Sequence, residues 1–317
     1  MTHAISFGYT KQRLGQPYLQ QMRQRIGLLV EQYLSEEVLC DRIQELPQQF
    51  QNPQPRKWGR LDWQGIDPVQ IIGVDPLVFI AILAGSIDTE LPIRGYTQTS
   101  RQYLAAYPSM AKFVGGTVDG DGHLIEPGLW EKEERQHAPA LQRLYTQLTG
   151  LKMRPIPHEP RAYKPTGNKH RDLYIHGLHR VATEYGATCL YLWLMAHSTG
   201  PLQAVLAELL RDEINHMTKF WGFGLWAYPN ATTLTVVKTL VTAAVGKLFR
   251  RHHSGGSLIH TLRRMAQVLH WSAWSWGNKL TFAWTFVTVL ARLRRWSNSQ
   301  PPEALETLLG RRAVHHS

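Results

Sequence analysis

Two segments of the chain, Glu134-Arg-Gln-His137 and Glu213-Ile-Asn-His216, each place a histidine three residues after a glutamate. Residues at this spacing share one face of a helix, so each pair can present a carboxylate and an imidazole to one metal ion. A single Glu-x-x-His pair arises often by chance on a solvated helix face. Two such pairs on separate helices are typical of a helical bundle that holds two metal ions in its core.

A bundle of this type needs one further glutamate from each of two other helices. Glu90 ends a nearly all-apolar helix that begins with Asp75 as its N-cap and Pro76 as its first residue. Glu184 precedes the apolar run 187–196, where a lone carboxylate is costly to bury. The order Glu, Glu-x-x-His, Glu, Glu-x-x-His therefore predicts six metal ligands: Glu90, Glu134, His137, Glu184, Glu213 and His216. The alternative is that these residues are surface charges.

The residue types also indicate the metal. Carboxylates and imidazoles both suit iron and manganese, and four carboxylates balance the charge of two divalent ions. We expect Glu134 and Glu213 to bridge two iron ions, with manganese as the alternative at one position. Asp212 is a candidate to hold a ligating histidine by a hydrogen bond, and Trp130 is a candidate neighbour of the site. The alternatives are simple exposure for Asp212 and core packing alone for Trp130.

The remaining sequence predicts an all-α protein without strand alternation. The apolar periodicity and the proline and glycine positions predict helices at 12–46, 75–90, 127–148, 170–198, 201–226, 234–251, 257–276 and 280–296, with a short helix after Pro302. Residues 96–113 are predicted to form either a helix or a helix and a turn. Residues 115–122 and 152–169 are predicted to be turn and loop. We divide the chain into an N-terminal helix and linker (1–56), a bundle (57–230) and C-terminal helices packed on or beside it (231–317).

Composition limits the class of protein. The 317 residues are 43% hydrophobic, which excludes a disordered chain, and two cysteines exclude a disulfide framework and a cysteine zinc site. No window of about 18 apolar residues predicts a membrane span, and the N-terminus lacks the apolar core of a secretory signal. We expect a cytoplasmic protein, with peripheral membrane contact as an open alternative.

Positive charge is concentrated at the C-terminal end. Residues 1–230 hold 23 Lys and Arg against 22 Asp and Glu, whereas residues 231–317 hold 12 against 2 and five of the tryptophans. The C-terminal segment is expected to pack on the bundle with a basic outer face, or to lie at a membrane surface. Either arrangement implies an acidic or anionic partner. Nucleic acid is disfavoured because the sequence contains no recognised nucleic-acid-binding module.

The motifs resemble those of soluble acyl-carrier-protein desaturases. Residues 130–137 are similar to their Trp-x-x-Glu-Glu-Asn-Arg-His motif, and residues 212–216 to their Asp-Glu-Lys-Arg-His motif. Residues 90–99 are similar to their Glu-Ala-Leu-Pro-Thr-Tyr-Gln-Thr segment, and the similarity runs from about 58 to 226. The family places a threonine three residues after the third-helix glutamate, near the dioxygen site. Here that position is Ala187, and Thr188, which follows it, is a candidate supporting residue beside the site.

The resemblance implies a ferritin-like four-helix bundle with flanking N- and C-terminal helices and two irons held by the six predicted ligands. It implies a homodimer that takes electrons from a ferredoxin-type donor and removes two hydrogens from the acyl chain of an acyl carrier protein thioester. The basic, Trp-rich tail has no counterpart in the family. Two alternatives therefore stay open: a di-iron hydroxylase or oxygenase acting on another apolar, membrane-derived substrate, and a non-enzymatic metal-binding or interaction protein that docks through its tail.

Overall fold

The computed structural model describes residues 16–156, 165–229 and 268–310, and most of these residues are helical. The helices are α1 (Gln16–Tyr33), α2 (Glu36–Gln44), α3 (Leu46–Gln51), α4 (Pro76–Glu90), α5 (Ile93–Tyr103), α6 (Pro108–Gly115), α7 (Leu129–Glu134), α8 (His137–Thr149), α9 (Lys169–Ala196), α10 (Gly200–Ala227), α11 (Trp276–Asn298) and α12 (Pro302–Leu309), with 3-10 turns at Pro68–Gln70 and Trp271–Ala273. The prediction of a helical protein is confirmed for the described residues. The predicted helix 234–251 and most of the predicted helix 257–276 lie outside them.

Two of the predicted helical regions are each divided into shorter helices. The prediction of one helix over 12–46 was wrong, because Ser35 caps a new helix by accepting a hydrogen bond from the Val38 amide at 3.3 Å. Pro47 does not end a helix but lies in the first turn of α3, where the missing amide hydrogen has no cost. The prediction of a helix, or of a helix and a turn, over 96–113 is confirmed in its second form, since α5 ends at Tyr103 and Pro108 starts α6 after a turn.

One short hairpin interrupts the helical pattern. Strand β1 (Thr117–Val118) pairs antiparallel with β2 (Leu124–Glu126), within and just after the predicted turn region 115–122. Gly116 and Gly122 adopt positive φ angles of 77° and 84°, which side chains other than glycine rarely tolerate. Strands of two and three residues are too short to show alternation in the sequence, and the described residues remain predominantly helical.

Two helix pairs form the centre of the fold. The helices α9 and α10, of 28 residues each, are joined by a three-residue connection and pack along each other, while α4 packs against α8. The helix α8 also contacts α10, so the two pairs meet in the core. On the outside, α2 and α12 pack on α10, and α11 packs on α1 and α9.

The fold offers little that resembles a membrane-crossing segment. Among the helices in the described part of the chain, none alone has the length and apolar content of a span. The pair α4 and α5, bent by 50° at their junction, meets that test of length and composition only when the two are taken together.

The connection after α9 is held by a buried histidine. His197 caps the helix, and its Nδ1–H donates to the Ile72 carbonyl at 2.9 Å, beside an isolated bridge between Ile71 and Ser198. The Nε2 atom is buried with no partner among the described residues. Burial lowers the pKa of His197 to about 4, so this side chain is neutral and serves as a hydrogen-bond donor rather than as a charge.

His197 makes a defined contribution to acid sensitivity. The unfolded chain, with the ordinary histidine pKa of 6.5, takes up the proton before the folded chain does. The free energy of unfolding is therefore expected to fall by about 3 kcal/mol on this account as the pH drops from 6.5 to about 4, with no such effect above that window. The variant His197→Asn lacks this titration, so the stability advantage of the unaltered chain should shrink toward pH 4 in urea unfolding. A pH-independent difference between the two chains would contradict the assignment.

Candidate metal centre

The structure brings all six predicted ligand residues to one buried region. Glu90 is the last residue of α4, Glu134 is the last residue of α7, and His137 is the first residue of α8. The other three project from the middle of the long helices, Glu184 from α9 and the pair Glu213 and His216 from α10. Five of the six are buried, and the Glu90 side chain is 12% exposed.

One predicted helix breaks inside the first motif. The prediction of a single helix over 127–148 was wrong, because Arg135 and Gln136 form a turn between α7 and α8. The backbone stays in the right-handed helical region at both residues, so Glu134 and His137 still project to the same side. The Nδ1 atom of His137 lies 3.4 Å from Glu134 Oε2.

The six side chains form two overlapping clusters. Glu90, Glu134, His137 and Glu213 each offer a donor atom within 4.8 Å of the others, and so do Glu134, Glu184, Glu213 and His216. Each cluster could hold a metal ion, and Glu134 and Glu213 belong to both. Two carboxylates shared between neighbouring clusters are placed to bridge two ions.

The donor atoms face one another without satisfying one another. His137 Nδ1, His216 Nδ1 and Glu213 Oε1 are buried and have no well-directed hydrogen bond to any described residue. Even so, His216 Nδ1 lies 2.9 Å from Glu134 Oε1, and His137 Nδ1 lies 3.3 Å from Glu213 Oε1. An unsatisfied buried polar atom costs about 1–3 kcal/mol, so three of them in one place fit a cavity that receives cations.

The charge of the cluster also favours cations. Burial, together with the neighbouring carboxylates Glu134 and Glu213, raises the pKa of Glu90 and of Glu184 well above the ordinary range. Burial acts in the same direction on Glu134, but attraction to His137 and His216 outweighs it and holds that pKa well below the ordinary range. Four buried carboxylates thus exceed the positive charge that two imidazoles can supply. Two divalent ions would remove this imbalance.

The two motifs support each other crosswise. His137 Nε2 lies 3.3 Å from Asp212 Oδ2, and His216 Nε2 lies 2.8 Å from Glu133 Oε2. The acidic residue that precedes the shared glutamate in one motif therefore holds the histidine of the other. Asp212 was a predicted supporting residue, whereas Glu133 was missed. The sequence does contain a signal for Glu133, because this residue precedes Glu134 just as Asp212 precedes Glu213.

The segment before the bundle completes this support. Arg56 Nε donates to Asp212 Oδ1 at 2.7 Å, and its backbone amide donates to Glu133 Oε1 at 2.9 Å. Trp58 Nε1 donates to Asp212 Oδ2 at 2.8 Å. No sequence pattern connects Arg56, at the end of the predicted linker 1–56, with the metal centre.

A buried polar chain leads from the second cluster toward the surface. Asn215 Nδ2 donates to Glu133 Oε2 at 3.3 Å, and Lys219 Nζ donates to Asn215 Oδ1. Lys219 is fully buried and also reaches Glu45 Oε2 at 3.4 Å. Burial lowers the pKa of Lys219 to about 8.

Arg180 is a further residue that the sequence did not reveal. It lies one turn before Glu184, with Nη1 3.5 Å from Glu184 Oε1 and Nη2 donating to Ser100 Oγ at 3.0 Å. Its guanidinium lies over the Trp130 ring at 4.2 Å. Trp130, a predicted neighbour of the site, is buried with its ring centroid 6.3 Å from that of His216. A cation and an aromatic ring therefore flank the second cluster.

Two hydroxyl groups lie on the same stretch of α9. Thr188 follows Glu184 by one helical turn, is fully buried, and has no hydrogen-bond partner among the described residues. Tyr191 is buried one turn further along and hydrogen-bonds Glu90, while burial raises the pKa of its phenol well above the ordinary range. Thr188 was a predicted supporting residue, and Tyr191 was not.

Comparison of the chain with protein-family models, with curated proteins and with solved structures gives no match. The resemblance to desaturases therefore depends on the short motifs quoted above. What the site can do depends on its own geometry.

Proposed function

We propose that this chain is an O2-dependent di-iron oxidoreductase that introduces a double bond into a fatty acyl chain. The observation that carries the proposal is the pair of buried carboxylate and histidine clusters that share Glu134 and Glu213. A shared pair of this kind suits two metals acting together, which is the arrangement that dioxygen chemistry at di-iron centres uses.

The proposed architecture is a ferritin-like four-helix bundle made of α4, α7–α8, α9 and α10. Its support is the order of the ligands, because Glu90 and Glu184 come from two helices and the Glu-x-x-His pairs come from the other two. That distribution is the ligand pattern of ferritin-like di-iron proteins. The pairwise packing of α4 with α8 and of α9 with α10 is consistent with it.

The residues present fit iron, with manganese as the alternative at one position. The donor set contains four carboxylates and two imidazoles and no thiolate, which favours iron or manganese over softer metals. When bound, the irons would supply the redox chemistry that activates dioxygen. The chain's own residues would orient the ligands, because Asp212 and Glu133 accept hydrogen bonds from the Nε2 atoms of His137 and His216. Burial of the site would exclude water.

An acyl substrate is supported by the apolar approach to the site and by the desaturase-like motifs. The helix α4 buries Ile80, Leu83 and Ile87 on the way to Glu90, and the Thr188 hydroxyl remains unpaired beside Glu184. The proposed reaction removes two hydrogens from the acyl chain. Two electrons from a ferredoxin-type donor and two protons then complete the reduction of dioxygen to two waters.

The proposed partners follow from the same resemblance and from charge. An acyl carrier protein is acidic, and the excess of positive charge over residues 231–317 would attract it. We propose a homodimer as the working assembly, located in the cytoplasm.

The proposal is tested with protein loaded anaerobically with ferrous iron, reduced chemically, and mixed with a saturated acyl carrier protein thioester and dioxygen. Mass spectrometry of the released acyl chain is expected to show the loss of two hydrogens. The variant Glu134→Gln/Glu213→Gln serves as the control and should give no product.

Other products would replace the proposal by a defined alternative. The gain of one oxygen atom would make the chain a hydroxylase. Consumption of dioxygen with oxidation of iron but no change in any acyl chain would favour a metal-binding protein without organic substrate.

A further inference from the structure

Helix α11 presents an apolar face to solvent. Between residues 276 and 291 every exposed position carries an apolar side chain, and five large residues form what we call the apolar stripe: Trp276, Leu280, Trp284, Val287 and Leu290. Trp276 is 79% exposed and Val287 is 60% exposed. Their spacing places them on one side of the helix over about 21 Å.

The opposite face of α11 is mixed, with three polar side chains buried beside Phe282 and Val289. Asn278, Thr281 and Thr285 are buried, and Thr281 Oγ1 accepts a hydrogen bond from Trp193 Nε1 at 3.0 Å. Asn278 Oδ1 accepts one from the Tyr18 hydroxyl at 3.0 Å. These bonds fix the rotation of the helix, so the apolar stripe points outward as a consequence of the fold. On an ordinary surface helix, polar side chains cover the face that is exposed to water.

Basic side chains flank the apolar stripe, and the acidic Glu31 of α1 is paired with Arg292 of α11. Lys279 Nζ lies 5.2 Å from the Trp276 ring centroid, and the Arg23 guanidinium lies 5.2 Å over the Trp284 ring. Arg294 and Arg295 are exposed at the C-terminal end of the helix. Residues 268–298 contain no acidic side chain. The face therefore combines aromatic and aliphatic side chains with basic residues at both ends.

We propose that the apolar stripe of α11 binds the surface of an anionic membrane. Tryptophan and aliphatic side chains suit the boundary between headgroups and acyl chains, and Lys279, Arg294 and Arg295 are placed to contact lipid phosphates. This inference is independent of the reaction proposed above, since it uses none of the residues of the metal centre.

Charge complementarity favours an anionic membrane over a protein partner at the apolar stripe. A second copy of the chain would bring two sets of basic residues together with no acidic residue of α11 to neutralise them. An acidic carrier protein would need basic side chains across the contact, whereas basic residues lie only around the edge of this face.

The test uses full-length, metal-loaded protein in flotation with vesicles of phosphatidylcholine alone or mixed with phosphatidylglycerol. Binding is expected only to the anionic vesicles and is expected to weaken as salt is added. The variant Val287→Glu/Leu290→Glu should bind at least about tenfold more weakly, because it places charge on the apolar stripe. Each of Arg294→Gln and Arg295→Gln should weaken binding roughly fivefold.

The matched control is Val69→Glu/Ile125→Glu, which changes two apolar residues elsewhere that are more exposed than Val287 and Leu290, and it should leave binding unchanged. The melting temperature of Val287→Glu/Leu290→Glu without vesicles should equal that of the unaltered chain. A large fall in melting temperature would overturn the proposal and show that another part of the chain covers the face. A dimer in lipid-free sedimentation that this variant dissociates, without vesicle binding, would overturn it in favour of a second copy.

Discussion

Replacing Glu134 and Glu213 together by alanine is expected to remove both metal ions from the proposed two-metal centre. Each of the two clusters contains both residues, so the variant leaves each cluster with one carboxylate and one imidazole. Two such ligands are too few to retain iron through desalting. Metal analysis after anaerobic iron loading is expected to give near two irons for the unaltered chain and none for the variant.

Single replacements at the ends of the site should separate the two positions. Glu90 contributes only to the first cluster and Glu184 only to the second. Glu90→Ala and Glu184→Ala are each expected to retain one iron tightly and to lose the other. Equal loss of both ions from either variant would contradict a pair of bridged but distinct positions.

The matched control for this experiment is Glu131→Ala. Glu131 is fully buried on α7, as Glu134 is, but it pairs with Arg135 and offers no atom to either cluster. The control should keep both irons, and the isosteric variant Glu134→Gln/Glu213→Gln separates ligand loss from unfolding. Failure of the unaltered chain to take up stoichiometric iron would contradict the metal centre, and the basic tail would become the main clue to function.

The clustering of the six predicted ligand residues could be predicted from the sequence because their signal is local and repeated. An i,i+3 pair needs only a helical period, and the order of pairs and single glutamates limits how the helices meet. The turn at Arg135 and Gln136 could not be predicted in this way. It leaves Glu134 and His137 on the same side, so the ligand prediction did not depend on the helix being continuous.

The supporting residues Arg56, Trp58 and Arg180 were harder to predict because no periodic sequence pattern marks them. Arg56 and Trp58 lie in an irregular segment, and only the folded chain shows that it runs past Asp212 and Glu133. Arg180 belongs to α9, but a single arginine in a helix gives no sign that its guanidinium will pack over the Trp130 ring. Long-range contacts of this kind depend on how helices pack, which hydrophobic periodicity does not specify.

Asp212→Asn and Glu133→Gln are expected to weaken metal binding at opposite positions. Asp212 holds His137 of the first cluster, and Glu133 holds His216 of the second. In the unaltered chain three donors surround Asp212, from Arg56, Trp58 and His137. An asparagine amide group would turn one of its own donors toward them, and the lost negative charge would make the imidazole a poorer ligand. Loss of such a partner costs about 10–100-fold in metal affinity.

Because each acidic residue supports the histidine of the other motif, each variant is expected to weaken one metal position rather than both. In anaerobic iron titrations, Asp212→Asn combined with Glu184→Ala should lose nearly all tight binding, because each change affects a different cluster. Asp212→Asn combined with Glu90→Ala should retain one tight iron, because both changes affect the first. Asp172→Asn is the matched control. Asp172, on α9, is a buried hydrogen-bond acceptor as Asp212 is, but it accepts from Thr166, away from the metal centre. If the two double variants titrate alike, the support is not crosswise and the histidines are held by other contacts.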